Sequence, residues 1–176
     1  MGEGFTAIDW SQTYAYAVGL GGIYLNFKGR ESAGILEEGS DAERVRRAIQ
    51  TGLADLPDAA TQRPAIRSVS RREEIYSGAY VENSPDLLVN FHPGFRVSWQ
   101  TALGGFSHEL LEDNTRRWSG DHIVDPEAVP GILFMNQLSS NDVARHNHVQ
   151  IIDLAPTILN YLGVSVPQSM EGNSLL

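Results

Sequence analysis

The stretch PDLLVNF, residues 85–91, predicts a buried strand at the centre of the fold. It is a compact apolar run whose flanks carry Pro85 and Pro93, residues that interrupt regular hydrogen bonding. Strands that are apolar throughout are typical of a sheet covered on both faces. Three further segments predict strands by the same criteria, namely 65–70, 95–99 and 131–136.

Upstream of this run, the sequence predicts a hairpin and a helix. AYAVGLGGIYLNFKGR (15–30) divides into two short strands about the glycines at its centre. Ser40 and Glu43 stand at the spacing of a capping box, in which both side chains bond free amide groups at a helix start. Apolar residues then recur every third or fourth position up to Pro57, which predicts an amphipathic helix.

A second helix is predicted near the end of the sequence. Asp153 can cap it, and Pro156 falls in its first turn, where the missing amide N–H costs little. Gly163 supplies a stop signal after an apolar face of helical spacing. Apolar strands interleaved with helices therefore predict an α/β fold with a largely buried sheet.

Composition excludes several functions. The 176 residues carry a net charge of −9 with Lys28 as the only lysine, so nucleic acid and anionic membranes would repel the chain. The apolar runs fall short of the roughly 20 residues of a membrane span, and MGEGFTAIDW is unlike a signal peptide. We expect a soluble, cytoplasmic protein. Without cysteine, any metal must be held by His and carboxylate.

The segment WSGDHIVDPEAVPGI (118–132) places His122 on a loop before an apolar run. A neutral imidazole is a good zinc ligand, and an adjacent acid can orient the ring. An exposed or hydrogen-bonded structural histidine is the alternative. His146 and His148 could chelate a metal or belong to a polar loop. A catalytic zinc needs about three protein ligands, so spacing leaves the role of His122 open.

Six stretches, in order, resemble the C-terminal part of the type I phosphodiesterase/nucleotide pyrophosphatase family of the alkaline phosphatase superfamily. They are DWSQTYAYAVG (9–19), GGIYLNFKGRESAGIL (21–36), SRREEIYSGAY (70–80), SPDLLV (84–89), WSGDHIVDPEAVPGILFMN (118–136) and IIDLAPTILNYLGVSVPQSMEGNSLL (151–176). The resemblance implies a two-metal phosphodiesterase or pyrophosphatase-like hydrolase with a Thr or Ser nucleophile. It implies two divalent ions, usually zinc (Zn2+), and a phosphate ester or nucleotide substrate. It also makes His122 the last metal ligand, with Asp121 supporting it and Asp125 as a weaker candidate.

The family's earlier ligands and its nucleophile have no match in this sequence. The resemblance therefore implies a C-terminal portion, 1–176, of a partial alkaline phosphatase-like fold. Such a fold would have a mixed sheet with flanking helices, and its N-terminal half would be absent. Residues 15–80 would be a peripheral αβ segment, and 84–176 would hold the core strands, the metal-ligand loop and the final helix. Such a chain is expected to be inactive alone and to self-associate through an exposed sheet edge. The alternative is a non-catalytic α/β binding or interaction module that keeps only the scaffold.

Overall fold

The computed structural model describes residues 4–54, 56–107, 109–118, 120, 123–136 and 149–176. The chain divides into two compact units, residues 1–130 and residues 131–176. Helices and a sheet are both present, as the α/β prediction requires. The assignment of 15–80 as peripheral and 84–176 as core stays a prediction.

A four-stranded sheet forms the centre of the first unit. Its strands are β1 (Ala15–Val18), β2 (Gly22–Leu25), β3 (Ile66–Arg71) and β4 (Leu87–Phe91). The spatial order is β1-β2-β4-β3, and every strand pair in it is antiparallel. The expected mixed sheet is therefore wrong for the described residues. Apolar strands alone do not fix direction, because the sequence pattern carries no information about which neighbour a strand pairs with.

The hairpin of β1 and β2 depends on its glycines. Gly19 and Gly21 have φ values of 78° and 100°, in a region that side chains with a Cβ rarely adopt. Gly22 lies at the junction with β4, where it pairs with Leu88. A Cβ atom on Gly22 would stand 2.8 Å from the Pro85 ring, so glycine permits this close approach of the two strands.

The predicted first helix is confirmed as α1, Ser40–Leu53. The apolar face of α1 packs on β2 and on the loop that follows β2, and together they form the core. That core comprises Leu25, Phe27, Leu36, Ala42 and Val45. The predicted capping box is wrong: Gly39 precedes the helix with φ of 111°, Ser40 is the first helical residue, and no side chain bonds the helix start. A capping serine must lie outside the helix, and the turn at Gly39 brings Ser40 into it.

The other helices of the described residues are short. They are α2 (Arg72–Ile75), α3 (Trp99–Ala102) and α4 (Leu154–Tyr161), with 3-10 turns at Gly4–Ala7, Val81–Asn83, Pro126–Ala128 and Ile151–Asp153. The strand predicted at 95–99 is wrong, because the Ser98 hydroxyl accepts from the Gln100 amide at 3.2 Å and starts α3 instead. In the described part of the chain, no helix has both the length and the apolar character of a membrane span.

In the second unit, α4 confirms the predicted final helix. Asp153 precedes it as predicted, but its carboxylate accepts from the amides of Gln150 and Asn173, both at 2.8 Å. The Thr157 hydroxyl in turn accepts from the Leu175 amide at 3.0 Å. These bonds join the last residues to the start of α4. Gly163, with φ of 69°, follows the helix as the predicted stop.

The buried strand predicted at 131–136 is wrong. These residues form no strand, and Ile132 and Phe134 are 81% and 90% exposed. An apolar run becomes a buried strand only where a neighbouring strand satisfies its amide and carbonyl groups. In the described structure, 131–136 has no such neighbour.

The sheet is held together by a buried carboxylate, Asp86, immediately before β4. Its side chain is fully buried, and Oδ2 accepts from the Leu25 amide at 2.7 Å. The Arg30 guanidinium bonds both carboxylate oxygens, at 3.0 and 2.6 Å. Arg72 lies 3.4 Å from Oδ1. Asp86 therefore joins β2, the loop after it and the end of β3 to the start of β4.

We expect Asp86→Asn to lower the free energy of unfolding by about 3–5 kcal/mol, because it leaves two guanidinium groups without their buried counter-charge. Urea unfolding followed by circular dichroism measures the change. Asp113→Asn, at an exposed position of the same unit, is the control and should stay within about 0.5 kcal/mol of the parent. Equal stability of the two variants would contradict this role of Asp86.

Candidate functional site

Asp125 is the one predicted site residue that the structure describes. Its side chain is 8% exposed, and Oδ1 accepts from the Glu127 amide at 2.9 Å, which starts the 3-10 turn Pro126–Ala128. Oδ2 pairs with Arg67 Nη1 at 3.0 Å. Both carboxylate oxygens are thus engaged within the protein. This geometry suits a loop anchor, and it leaves Asp125 poorly placed to ligate a metal directly.

Arg67 connects this loop to the sheet. It stands on β3, and its second terminal nitrogen bonds the Glu127 carboxylate. One guanidinium therefore holds two carboxylates of the loop, one buried and one exposed. Residues 125–127 are fixed against β3 as a result.

The other two predicted site residues, Asp121 and His122, lie outside the described residues. So do His108, His146 and His148. Among the residues that are described, no three His, Asp or Glu side chains are arranged to hold a metal ion. The roles of Asp121, His122 and Asp125 at a metal therefore stay predictions.

A second polar cluster surrounds Glu31, which follows the hairpin. Oε1 accepts from Arg30 Nε at 2.8 Å and from the Tyr16 hydroxyl at 3.2 Å. The Tyr16 ring stacks on Tyr24 at 5.6 Å and meets Trp10 edge-on at 5.3 Å. Burial raises the pKa of Tyr16 to about 12, and the charge of Glu31 and the hydrogen bond to it add to the shift. The phenol is thus neutral under all ordinary conditions.

The ion pairs of Arg30 with Asp86 and Glu31 also shift the pKa of Arg30. Burial lowers its pKa, but the hydrogen bonds to Asp86 and Glu31 outweigh burial and raise the pKa above the usual value. Arg30 therefore stays a permanent cation between two carboxylates. Its guanidinium also donates to the Leu25 carbonyl at 2.6 Å and lies 5.0 Å from the centre of the Phe27 ring. The cluster stabilises the hairpin and offers no group poised for acid–base chemistry.

The second unit contains an apolar groove of about 680 Å³. Its walls come from the 131–136 segment and from α4, namely Phe134, Met135, Asn136, Thr157, Ile158 and Tyr161. Ile158 and Tyr161 are 58% and 60% exposed. Large exposed apolar surfaces of this kind mark contact sites more often than catalytic ones.

Sequence reasoning missed Asp86, Arg67 and Glu31 as organising residues. Asp86 was visible only as a polar residue next to an apolar strand, and Arg67 as a charge within a strand pattern. A charge at the border of a buried strand is a usable signal, because such a group must find a partner. The partner itself cannot be read locally, since Leu25 and Arg30 are 61 and 56 residues away.

The chain is similar over 76 residues, at 33% identity, to the 2,3-bisphosphoglycerate-independent phosphoglycerate mutase of Antithamnion sp.. The match covers 43% of this chain and 14% of the mutase, so the chain spans only a small part of that relative's length. No protein-family model and no solved structure matches the chain.

The mutase is a member of the alkaline phosphatase superfamily. Its similarity to the chain agrees loosely with the superfamily suggested by the sequence motifs. It does not extend to the phosphodiesterase/nucleotide pyrophosphatase family or to a preference for zinc. Those narrower assignments remain proposals.

The raised pKa of Tyr16 gives a pH-dependent stability. The folded state favours the neutral phenol, so its contribution is complete below about pH 10 and is lost as the pH rises towards about 12. We expect Tyr16→Phe to remove this loss while changing stability at neutral pH by only about 0.5–1.5 kcal/mol. Urea unfolding of both proteins across this range measures the difference. Parallel curves for the two proteins would contradict the assignment.

Proposed function

We propose that this chain is part of a phosphoryl-transfer enzyme of the alkaline phosphatase superfamily. More narrowly, it would be the metal-binding portion of a two-metal phosphodiesterase/nucleotide pyrophosphatase-like hydrolase. The observation that carries the proposal is the 76-residue similarity to a phosphoglycerate mutase. The motif GDH at 120–122, within the stretch that resembles the family, supports it.

In this proposal, His122 supplies a neutral imidazole nitrogen to one divalent ion, and Asp121 orients the ring. Asp125 has a supporting part: its bonds to Arg67 and the Glu127 amide hold the chain three residues after His122 against β3. When bound, divalent ions would neutralise the oxygens of a phosphate ester or nucleotide substrate. The other ligands would come from outside the described residues.

The first test of the function is turnover. We expect purified 1–176 to release no aryl alcohol from an aryl phosphodiester, because the nucleophile and most ligands have no match in this sequence. Hydrolysis at a rate comparable to a complete relative would contradict the proposal. The same preparation is used for the zinc-binding test below. Its circular dichroism is recorded first, so that a misfolded sample is recognised.

The second test of the function follows zinc binding through the imidazole proton resonances in NMR spectra. We expect His122 to respond at lower zinc concentrations than His92, and His122→Ala to weaken zinc binding by roughly tenfold. His92→Ala is the matched control and should leave the zinc affinity unchanged. A response of all histidines at the same zinc concentration would remove His122 from the metal site.

We also propose that two copies of the chain associate. In the described sheet, β1 has one strand neighbour, so its outer edge presents backbone groups to a second molecule. Exposed apolar residues of the second unit, such as Phe134, add surface that favours association. Sedimentation velocity should show a concentration-dependent dimer. A single monomeric species across the concentration range would contradict this proposal.

A further inference from the structure

Three arginines converge on a surface pocket of about 590 Å³ in the first unit. Its lining combines residues of α1 and of the turn before it, of the β3–α2 junction and of the 3-10 turn after α2. These residues are Glu38, Arg46, Arg71, Arg72, Glu73 and Glu82. Three cations and three carboxylates therefore face one another. The arginine side chains are held more firmly than the glutamate side chains.

The guanidinium groups of Arg72 and Arg46 are fixed by the fold. The Arg72 side chain is 8% exposed and is held by Asp86 at 3.4 Å and by the Glu82 carbonyl oxygen at 3.2 Å. The Arg46 side chain is 13% exposed and lies 5.7 Å from the centre of the Phe27 ring. Buried guanidinium groups lose little freedom when they bind an anion, because their positions are already set.

Arg71 is held differently. It forms two hydrogen bonds with Glu43, at 2.9 and 2.6 Å, which already satisfy one edge of its guanidinium. Hydrogen bonding to Glu43 raises the pKa of Arg71, against a smaller opposing effect of burial. Arg71 therefore adds positive charge at the rim of the pocket. An anion would contact Arg46 and the edge of Arg72 that Glu73 and Glu82 now occupy.

The carboxylates that face these cations are loosely placed. Glu38 and Glu82 have side chains 66% and 86% exposed, and they approach Arg46 and Arg72 only to 3.7 and 3.4 Å. Exposed ion pairs of this kind contribute about 0–1 kcal/mol. Glu73 is closer, bonding Arg72 Nε at 2.9 Å, and its side chain is 56% exposed. A stronger anion can displace such side chains into solvent.

We propose that this pocket binds a phosphate-bearing anion between Arg46 and Arg72, with Glu38 and Glu82 as competing groups that move aside. Guanidinium groups match phosphate oxygens through paired hydrogen bonds, which a single carboxylate at 3.4 Å or more does not. The pocket volume lies within the range of about 300–1,000 Å³ typical of small-ligand sites. The proposal is independent of the proposed function, since it needs neither His122 nor a metal.

Binding of inorganic pyrophosphate to purified 1–176 tests the proposal, measured by calorimetry at low ionic strength with EDTA present. EDTA removes divalent ions, so a phosphate held at a metal centre would not be detected. We expect saturable binding that weakens as salt is added. Absence of saturable binding would overturn the proposal and would leave the proposed function untouched.

Three variants locate the site. Arg46→Gln should weaken pyrophosphate binding about tenfold, as expected for loss of a charged hydrogen-bonding group. Arg44→Gln, two residues earlier on α1 with a 68% exposed side chain, is the matched control and should leave the affinity unchanged. Glu82→Gln should tighten binding about two- to fivefold, because it removes a competitor.

Equal affinities of Arg46→Gln and Arg44→Gln would place the anion elsewhere and overturn the proposal. Weaker or unchanged binding in Glu82→Gln would also overturn it, because a competing carboxylate cannot support the ligand. The Glu82 variant keeps the test decisive if Arg46→Gln fails to fold. The Glu82 side chain is 86% exposed, so we expect its substitution to perturb the fold little.

Discussion

The buried charge of Asp86 is the constraint on which the first unit depends. A carboxylate without solvent is costly unless every oxygen is paired. Here the pairing comes from the Leu25 amide, from Arg30 and from Arg72, which belong to three different parts of the chain. The requirement to satisfy one charge therefore fixes where the hairpin, β3 and β4 lie relative to one another.

The buried Asp86 also fixes the position of Arg72, which lines a surface pocket. Because Asp86 holds Arg72 from the inside, the other side of that guanidinium is presented to the pocket in a fixed position. Arg46 reaches the pocket from α1, where it lies over Phe27 of the core. A structural ion pair and a candidate anion site thus share one side chain, and the rigidity of the first supports the second.

A second ion pair, between Arg67 and Asp125, holds a loop against β3. Arg67 on β3 holds Asp125, and the chain that follows the GDH motif (120–122) is fixed at that residue. The resemblance of residues 118–136 to the phosphodiesterase/nucleotide pyrophosphatase family gives this loop its functional interest. The position of Asp125 is a property of the fold, whereas a metal role for the loop stays a proposal.

The sequence by itself determined the local elements. The spacing of apolar residues and the positions of Gly and Pro located the hairpin, α1, β3, β4 and α4. Both signals are local, because periodicity and glycine conformation depend on a few neighbouring residues. They failed at 95–99, where Ser98 starts a helix, and at 131–136, where apolar residues have no strand to pair with.

Only the tertiary structure decided the antiparallel order β1-β2-β4-β3, the role of Asp86 and the convergence of Arg46 with Arg72. Each of these depends on partners tens of residues apart, such as Asp86 and Leu25. A local pattern shows that a buried charge needs a partner, but it cannot name that partner. The choice is made when the chain folds, by geometry and by the cost of leaving a polar group unpaired.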